Sequence, residues 1–284
     1  FARAREVIEA LGGMRLLYRY EPGDWYGLNL IAIEDLTQDG VADLAFADVS
    51  CGAHTCWHTP YVWSWDGDDF VHHVTDALQF PYPDFWATED ALKVVSGGIG
   101  SVGAGPQRPV TTTLAWDGEQ VALVEEVTGP PTFRYHAFID GERAFAAEDL
   151  GTAVALYERV LQDDVLTAWG ATVSPEEEHD ALRALAQWRF VILSLVQGDG
   201  AAAESRYATL MASSQPLPVR DAVMSLAERF WRAYERDGEI SAACAYAVDG
   251  DTAQVVLDFL YGFGYANPVY EAPDLCPHLR TGAP

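Results

Sequence analysis

At 284 residues, with 49% hydrophobic and 12% aromatic side chains, the chain is longer than one ordinary domain and too apolar for a disordered segment. Its 43 acidic against 17 basic residues leave a net charge of −26, which excludes nucleic acid and anionic membranes as partners, because both are met by basic surfaces. No apolar run approaches the roughly 20 residues of a membrane-spanning helix.

Taken in order, Ala2–Leu11 has the pattern of a short amphipathic helix stopped by Gly12-Gly13. The period then changes to that of strands at Gly27–Ile33, Asp43–Val49, Pro60–Trp65, Phe70–Val74, Leu92–Val95, Val110–Trp116 and Gln120–Val127, short runs rich in Val, Ile, Thr and aromatics. Two turns recur, Trp65-Asp66-Gly67 and Trp116-Asp117-Gly118. Asp-Gly between alternating strands predicts two-residue hairpin turns of type I′. Two copies are too few to close a propeller, so an antiparallel sheet or small sandwich is expected. Gly129-Pro130-Pro131 marks a boundary, beyond which helical periodicity covers Leu150–Leu161, Pro175–Val196, Ala201–Met211, Val219–Arg236, Glu239–Val248 and Thr252–Tyr261. Ser174 with Glu177 forms a capping box at the second of these. The expected class is α+β: an antiparallel β domain over residues 1–129, then a helical domain, repeat-like or bundled, over residues 130–284.

Four cysteines allow three pairings. The economical one is Cys51–Cys56 with Cys244–Cys276, each inside one candidate domain, and two disulfides imply an oxidising compartment. The alternative is four buried thiols. The chain starts at Phe1 rather than Met, and two accounts stay open: a signal peptide or lipoprotein leader has been removed, leaving room for a lipid anchor, or the sequence is a trimmed piece.

The segment Asp35-Leu-Thr37-Gln-Asp39-Gly40-Val41-Ala-Asp43 places oxygen ligands at alternate positions with glycine at the sharp turn, the arrangement a hard cation needs. Asp35, Thr37 and Asp39 supply side chains, Val41 its carbonyl and Asp43 a last carboxylate, and the expected ion is Ca2+ in a structural role. Strands rather than helices flank the loop, so it resembles the calcium loop of FG-GAP/VCBS-type repeats, with Thr37 where that family has Asp or Asn. Among the helices, Ala153, Tyr157 and Leu161 recur as Ala203, Tyr207 and Met211, and Ala242 with Tyr246 repeats the step; each copy follows a turn, at Glu148-Asp149, Gly198-Asp199 and Asp237-Gly238. A small residue one turn from an aromatic lets paired helices approach, and the pattern loosely resembles tetratricopeptide-type hairpins. As a whole the chain resembles secreted bacterial proteins.

Other groupings point less far. Cys51, His54, Cys56 and His58 are zinc ligand types, but crowded into one segment they read better as a disulfide loop tipped by His54. Gly98-Ile-Gly100-Ser-Val-Gly103 matches a dinucleotide pattern yet opens no helix, so it reads as a flexible glycine loop, with Arg108 beside it as a candidate carboxylate contact. His72 and His73 point to opposite faces of a strand, and Glu176–His179 complements a helix N-terminus. Trp25, Tyr26, Tyr61, Trp63, Trp65, Tyr82 and Trp86 are a candidate stacking platform for sugars, although aromatics at strand spacing are expected mostly in the core. No catalytic residue is selected. The expectation is a non-catalytic extracytoplasmic binding or scaffolding protein with a protein or glycan partner. A glycoside hydrolase using paired carboxylates is the alternative, and a solute-binding lipoprotein a third.

Overall fold

The computed structural model describes residues 27–74, 78–212 and 217–277. The helix expected at Ala2–Leu11 and the aromatics Trp25 and Tyr26 lie outside them. The chain is α+β and divides into two compact units, one of residues up to Ser101 with Pro109–Gly129, the other of Val102–Arg108 with the chain from Pro130 onward.

In the first unit, β1 (Gly27–Glu34), β2 (Asp43–Gly52), β3 (Thr55–Trp65) and β4 (Phe70–His72) form one antiparallel sheet in that order, with β5 (Phe80–Pro81) paired to β3. A second antiparallel sheet runs β6 (Pro83–Ala87), β7 (Ala91–Ser96), β8 (Val110–Trp116), β9 (Val121–Thr128). Leu36, Ala45, Val62, Phe80, Leu92, Val94, Leu114 and Val121 come from both sheets into one core, so the unit is a small sandwich. Two strands were not read from the sequence, β5 and β6, both short and interrupted by prolines. Strand β3 begins five residues before the expected Pro60. Proline is tolerated inside it because β3 meets β5 at Trp57–His58 and β4 at Trp63–Trp65, leaving Pro60 opposite neither.

The expected type I′ turns fall elsewhere. Asp66–Asp69 and Asp117–Gln120 are four-residue loops. Each opening aspartate accepts two backbone amides, Asp66 from Asp68 (2.8 Å) and Asp69 (2.9 Å), Asp117 from Glu119 and Gln120 (both 2.9 Å). These bonds hold both carboxyls below their ordinary range, and the side chains close the loops together with backbone bonds from the Asp66 amide to Asp69 (3.1 Å) and from the Asp117 amide to Gln120 (3.0 Å). Two consecutive left-handed residues occur instead at Ala53 (φ 47°) and His54 (φ 70°), between the cross-strand partners Gly52 and Thr55 and next to the disulfide Cys51–Cys56.

The second unit has seven helices among the described residues: α1 (Arg134–Ala146), α2 (Leu150–Gln162), α3 (Pro175–Val196), α4 (Gly200–Met211), α5 (Pro218–Asp237), α6 (Ile240–Val248) and α7 (Asp251–Tyr261). Helix α1 escaped sequence reading because Gly141 interrupts it. That glycine is needed: a Cβ there would sit 2.7 Å from the Tyr157 ring. The turns α1–α2 and α3–α4 are copies of one another. Glu148 (φ 60°) and Gly198 (φ 77°) are left-handed, the next amides, Asp149 and Asp199, donate back to Ala144 and Ser194, and those two aspartates cap the following helices through Thr152 and Ala202 amides. The Ala–Tyr recurrence is less regular. Tyr157 is fully buried, Tyr207 stacks on Trp231 at 4.8 Å, and Tyr246 lies exposed beside Arg229.

Helix α3 runs through the core of this unit, and the chain after α7 returns to it. Trp188 Nε1 and Arg189 Nη1 both donate to the Leu275 carbonyl at 2.8 Å. Arg189 also donates to Glu142 through Nε (2.7 Å) and Nη2 (2.8 Å), and Tyr157 Oη donates to the same carboxylate at 2.6 Å. The disulfide Cys244–Cys276 closes 32 residues of sequence and ties the tail to α6. Among the described residues no helix is long and apolar enough to cross a membrane.

Two stability predictions follow. Cys276→Ser should lower unfolding free energy by about 3–4 kcal/mol, the loop-closure value for a crosslink of this span, as read by denaturant titration of the oxidised protein. Glu148→Gly should raise it by about 0.5–1 kcal/mol, because a left-handed residue with a Cβ is strained where glycine is not; the same titration reporting a loss would show that the Glu148 side chain contributes more than its backbone strain.

Candidate functional site

The loop joining β1 to β2 places the five predicted ligands unequally. Asp43 is buried, and its Oδ2 accepts the backbone amides of Leu36 (2.7 Å) and Thr37 (2.8 Å). Its Oδ1 accepts the hydroxyls of Thr37 (3.3 Å) and Ser64 (2.5 Å). Four donors fill a carboxylate's acceptor capacity. Thr37 and Asp43 are thereby bonded to each other rather than presented to solvent, and Leu36 between the loop and the sandwich is core. Ser64 was not read from the sequence, although a serine at the core-facing alternate of β3, in register with Asp43, was the signal available.

Asp35 and Asp39 remain at the loop surface. Asp35 accepts the amides of Asp39 (3.1 Å) and Gly40 (2.9 Å), and Asp39 accepts that of Val41 (2.8 Å). Gln38 (φ 59°) and Gly40 (φ 86°) take the left-handed conformations that let these amides turn inward. Among the described residues no three His, Cys, Asp or Glu side chains gather as a metal centre. An ion at this loop would have Asp35, Asp39 and the Val41 carbonyl as protein ligands. Three ligand groups, two of them already accepting backbone amides, where calcium takes six to eight oxygens, fit a largely hydrated, weakly held ion.

The remaining candidates resolve into structural roles. Cys51 and Cys56 are disulfide-bonded, which leaves no thiolate for zinc. In the glycine loop, a Cβ on Gly100 would lie 2.3 Å from the His54 carbonyl oxygen, and one on Gly105 1.6 Å from that of Phe263; the glycines serve close backbone packing. The amides of Tyr265 and Ala266 donate to the carbonyls of Gly103 and Ala104, which makes 102–108 part of the helical unit rather than of the β domain. Arg108 does meet a carboxylate, Asp140 of α1, through Nη1 (2.7 Å) and Nη2 (2.5 Å). His136, one turn earlier on α1, is buried with Nδ1 near the Thr132 and Phe133 amides, both at 3.4 Å. Burial, reinforced by the Arg108 charge, holds its imidazole down at about 4. Burial pushes the Glu178 carboxyl up, but both its oxygens accept amides, from Trp169 (2.9 Å) and Gly170 (2.7 Å), so it fastens the loop ahead of α3.

The aromatics divide. His72 and His73 point to opposite faces, His72 to the Tyr61 ring at 5.1 Å and His73 to Trp116 at 5.0 Å. Tyr61, Trp63 and Trp65 were expected in the core. They lie on the other face of the first sheet, because Val62 and Ser64 alternate with them and face inward. There they join Phe46 (5.3 Å from Tyr61) and Phe70 (5.2 Å from Trp65). Leu30 opposite Phe46 and Ile33 opposite Leu44 extend the same face onto β1, kept in phase by a bulge between Leu30 and Ala32. Tyr82 hydrogen-bonds the His54 carbonyl at 2.7 Å, and Trp86 stands exposed on the second sheet. Comparison with protein-family models, with curated proteins and with solved structures gave no match to this chain.

Asp43→Ala should destabilise the β unit by about 2–5 kcal/mol, since it orphans two buried amides, and should do so equally in calcium and in chelator. Millimolar calcium should raise the wild-type melting temperature by a small margin that Asp39→Ala removes; a large rise at micromolar calcium would show that a fuller cage forms. For His136, the unfolded state binds a proton near pH 6.5 that the folded state refuses until about pH 4, so stability is lost as pH falls through that window, by about 3 kcal/mol in all. His136→Asn should flatten that slope in pH-dependent unfolding.

Proposed function

We propose that this chain is a non-catalytic extracytoplasmic binding or scaffolding protein. The observation that carries the reading is the contrast between its polar and apolar groups on the β unit. Leu30 and Ile33, on the aromatic face of the first sheet, are 60% and 61% exposed, whereas the carboxylate of Asp43, the polar group of this unit that sequence singled out, is engaged by four donors within the fold. Exposed apolar surface supports contact with a partner, and carboxylates already saturated by hydrogen bonds support no acid–base pair. The two disulfides support an oxidising compartment. The charge of −26 supports partners that are neutral or basic, and calcium belongs to this reading as a weak ligand of the loop at Asp35 and Asp39. The FG-GAP/VCBS likeness of that loop and the tetratricopeptide likeness of the helical hairpins are part of the same proposal, resting on sequence pattern.

The test is incubation with insoluble and soluble polysaccharides and with cell-wall fragments, scored for co-sedimentation and for released reducing ends together. Binding without release is the expected result. Accumulation of reducing ends above a protein-free control would replace this reading with the glycoside-hydrolase alternative. The compartment is tested separately by thiol titration of protein unfolded without reductant, which should find no free thiol when the protein is recovered from the cell exterior.

A further inference from the structure

We propose that the outer face of the second sheet carries a binding site for a neutral, equatorially linked polysaccharide chain, an inference that rests on the binding-protein reading above and names its ligand. The site is one cross-strand row. Trp86 on β6 is paired with Lys93 on β7, Lys93 with Thr113 on β8, and Thr113 with Glu125 on β9. Residues directly opposite on neighbouring strands share a face, so the four side chains lie in a line about 14 Å long, three strand spacings. The core lies on the other face, through Phe85, Leu92, Val94 and Leu114.

Within the row the polar groups are already ordered. Lys93 Nζ donates to Thr113 Oγ1 at 2.7 Å, Thr113 Oγ1 lies within hydrogen-bonding distance of Glu125 Oε2 at 3.4 Å, and ammonium and carboxylate are 4.0 Å apart. Thr113 is buried between them, the Lys93 and Glu125 side chains are 28% and 60% exposed, and Trp86 is 42% exposed. An indole at one end of a row of donor, hydroxyl and acceptor matches the two-sided chemistry of a chain of pyranoses. The axial C–H face of one sugar stacks on the Trp86 ring with its hydroxyls accepting from Lys93, and hydroxyls of a sugar farther along the chain donate to Glu125 at the other end of the row. Groups held on paired strands are presented with little ordering cost. The charge of −26 disfavours polyanionic chains, and the Lys93 ammonium in the row disfavours cationic ones, which leaves a neutral glycan. Lys93 is the only lysine of the chain, and the row places it beside the exposed tryptophan.

That uniqueness supplies a probe. Reductive methylation with 13C-formaldehyde labels one lysine, and its resonance is followed while cellohexaose, chitohexaose or an oligogalacturonate is added; calorimetry on unlabelled protein gives affinity. The expected result is a shifted Lys93 signal and micromolar-to-millimolar binding of a neutral hexaose. Trp86→Ala should weaken it at least about 10-fold, Trp86→Phe should restore part of it, and both variants should keep a cooperative melting transition, which separates lost binding from lost folding. Binding that Trp86→Ala leaves intact, or no binding of either neutral hexaose, overturns the site without touching the non-catalytic reading. Tighter binding of the oligogalacturonate overturns the neutral class. Shortened oligosaccharides would instead overturn the non-catalytic reading, with the site still judged by Trp86→Ala.

Discussion

A charged side chain removed from water must be met on every side by partners, and each unit here is organised around one that is. In the β unit it is Asp43, whose four donors come from the loop before it and from β3 across the sheet. Because two of those donors are backbone amides, the carboxylate sets the path of the chain from β1 into β2, and it seats Leu36 in the core on the way. In the helical unit it is Arg189, fully buried, which joins Glu142 of α1 to α3 and holds the carbonyls of Asp274 and Leu275. Buried pairs of this kind add little net stability, since desolvation offsets their attraction, but losing one partner is costly. Their consequence is specificity of arrangement: the tail after α7 has one place where Arg189 is satisfied.

Polar groups committed in this way are not available for chemistry, and that limits what the chain does at its surface. Asp43 and Arg108 were candidates in the sequence, and each is bonded inside the fold. Among the large apolar side chains exposed on the sandwich are Leu30 and Ile33 on one sheet and Trp86 on the other. The second sheet differs in also holding the ordered Lys93–Thr113–Glu125 line beside its tryptophan. Under the reading proposed above, that line and its tryptophan serve recognition of a ligand.

The strands and helices with strong periodicity were legible. Pro175–Val196 and Val110–Trp116 were read to the residue, and β2 closely, because each has an apolar period or a cap. The short proline-bounded β5 and β6 and the glycine-broken α1 were not, since their order comes from neighbours: β6 is set by pairing with β7, and α1 by the Tyr157 ring over Gly141. The turns show the same division. Asp-Gly marked two hairpins, but side chain and backbone close them together, through hydrogen bonds within four residues. Ala53-His54 adopts the left-handed pair with no sequence signal, held between the paired strands and their disulfide.

By itself the sequence determined the α+β class, the change from strand to helix near Gly129-Pro130, the two hairpin aspartates and the acidic charge, all of which follow from local period, turn chemistry or composition. Only the tertiary structure decided which face of an alternating strand looks inward. Both faces of β3 are apolar, and the smaller Val62 set fills the sandwich while Tyr61, Trp63 and Trp65 face the other way. It likewise decided that Asp43 bonds inward, because its partner Ser64 is brought to it only by the pairing of β2 with β3. The row from Trp86 to Glu125 spans four strands and has no local signature, since residues far apart in sequence become neighbours only through the order of pairing.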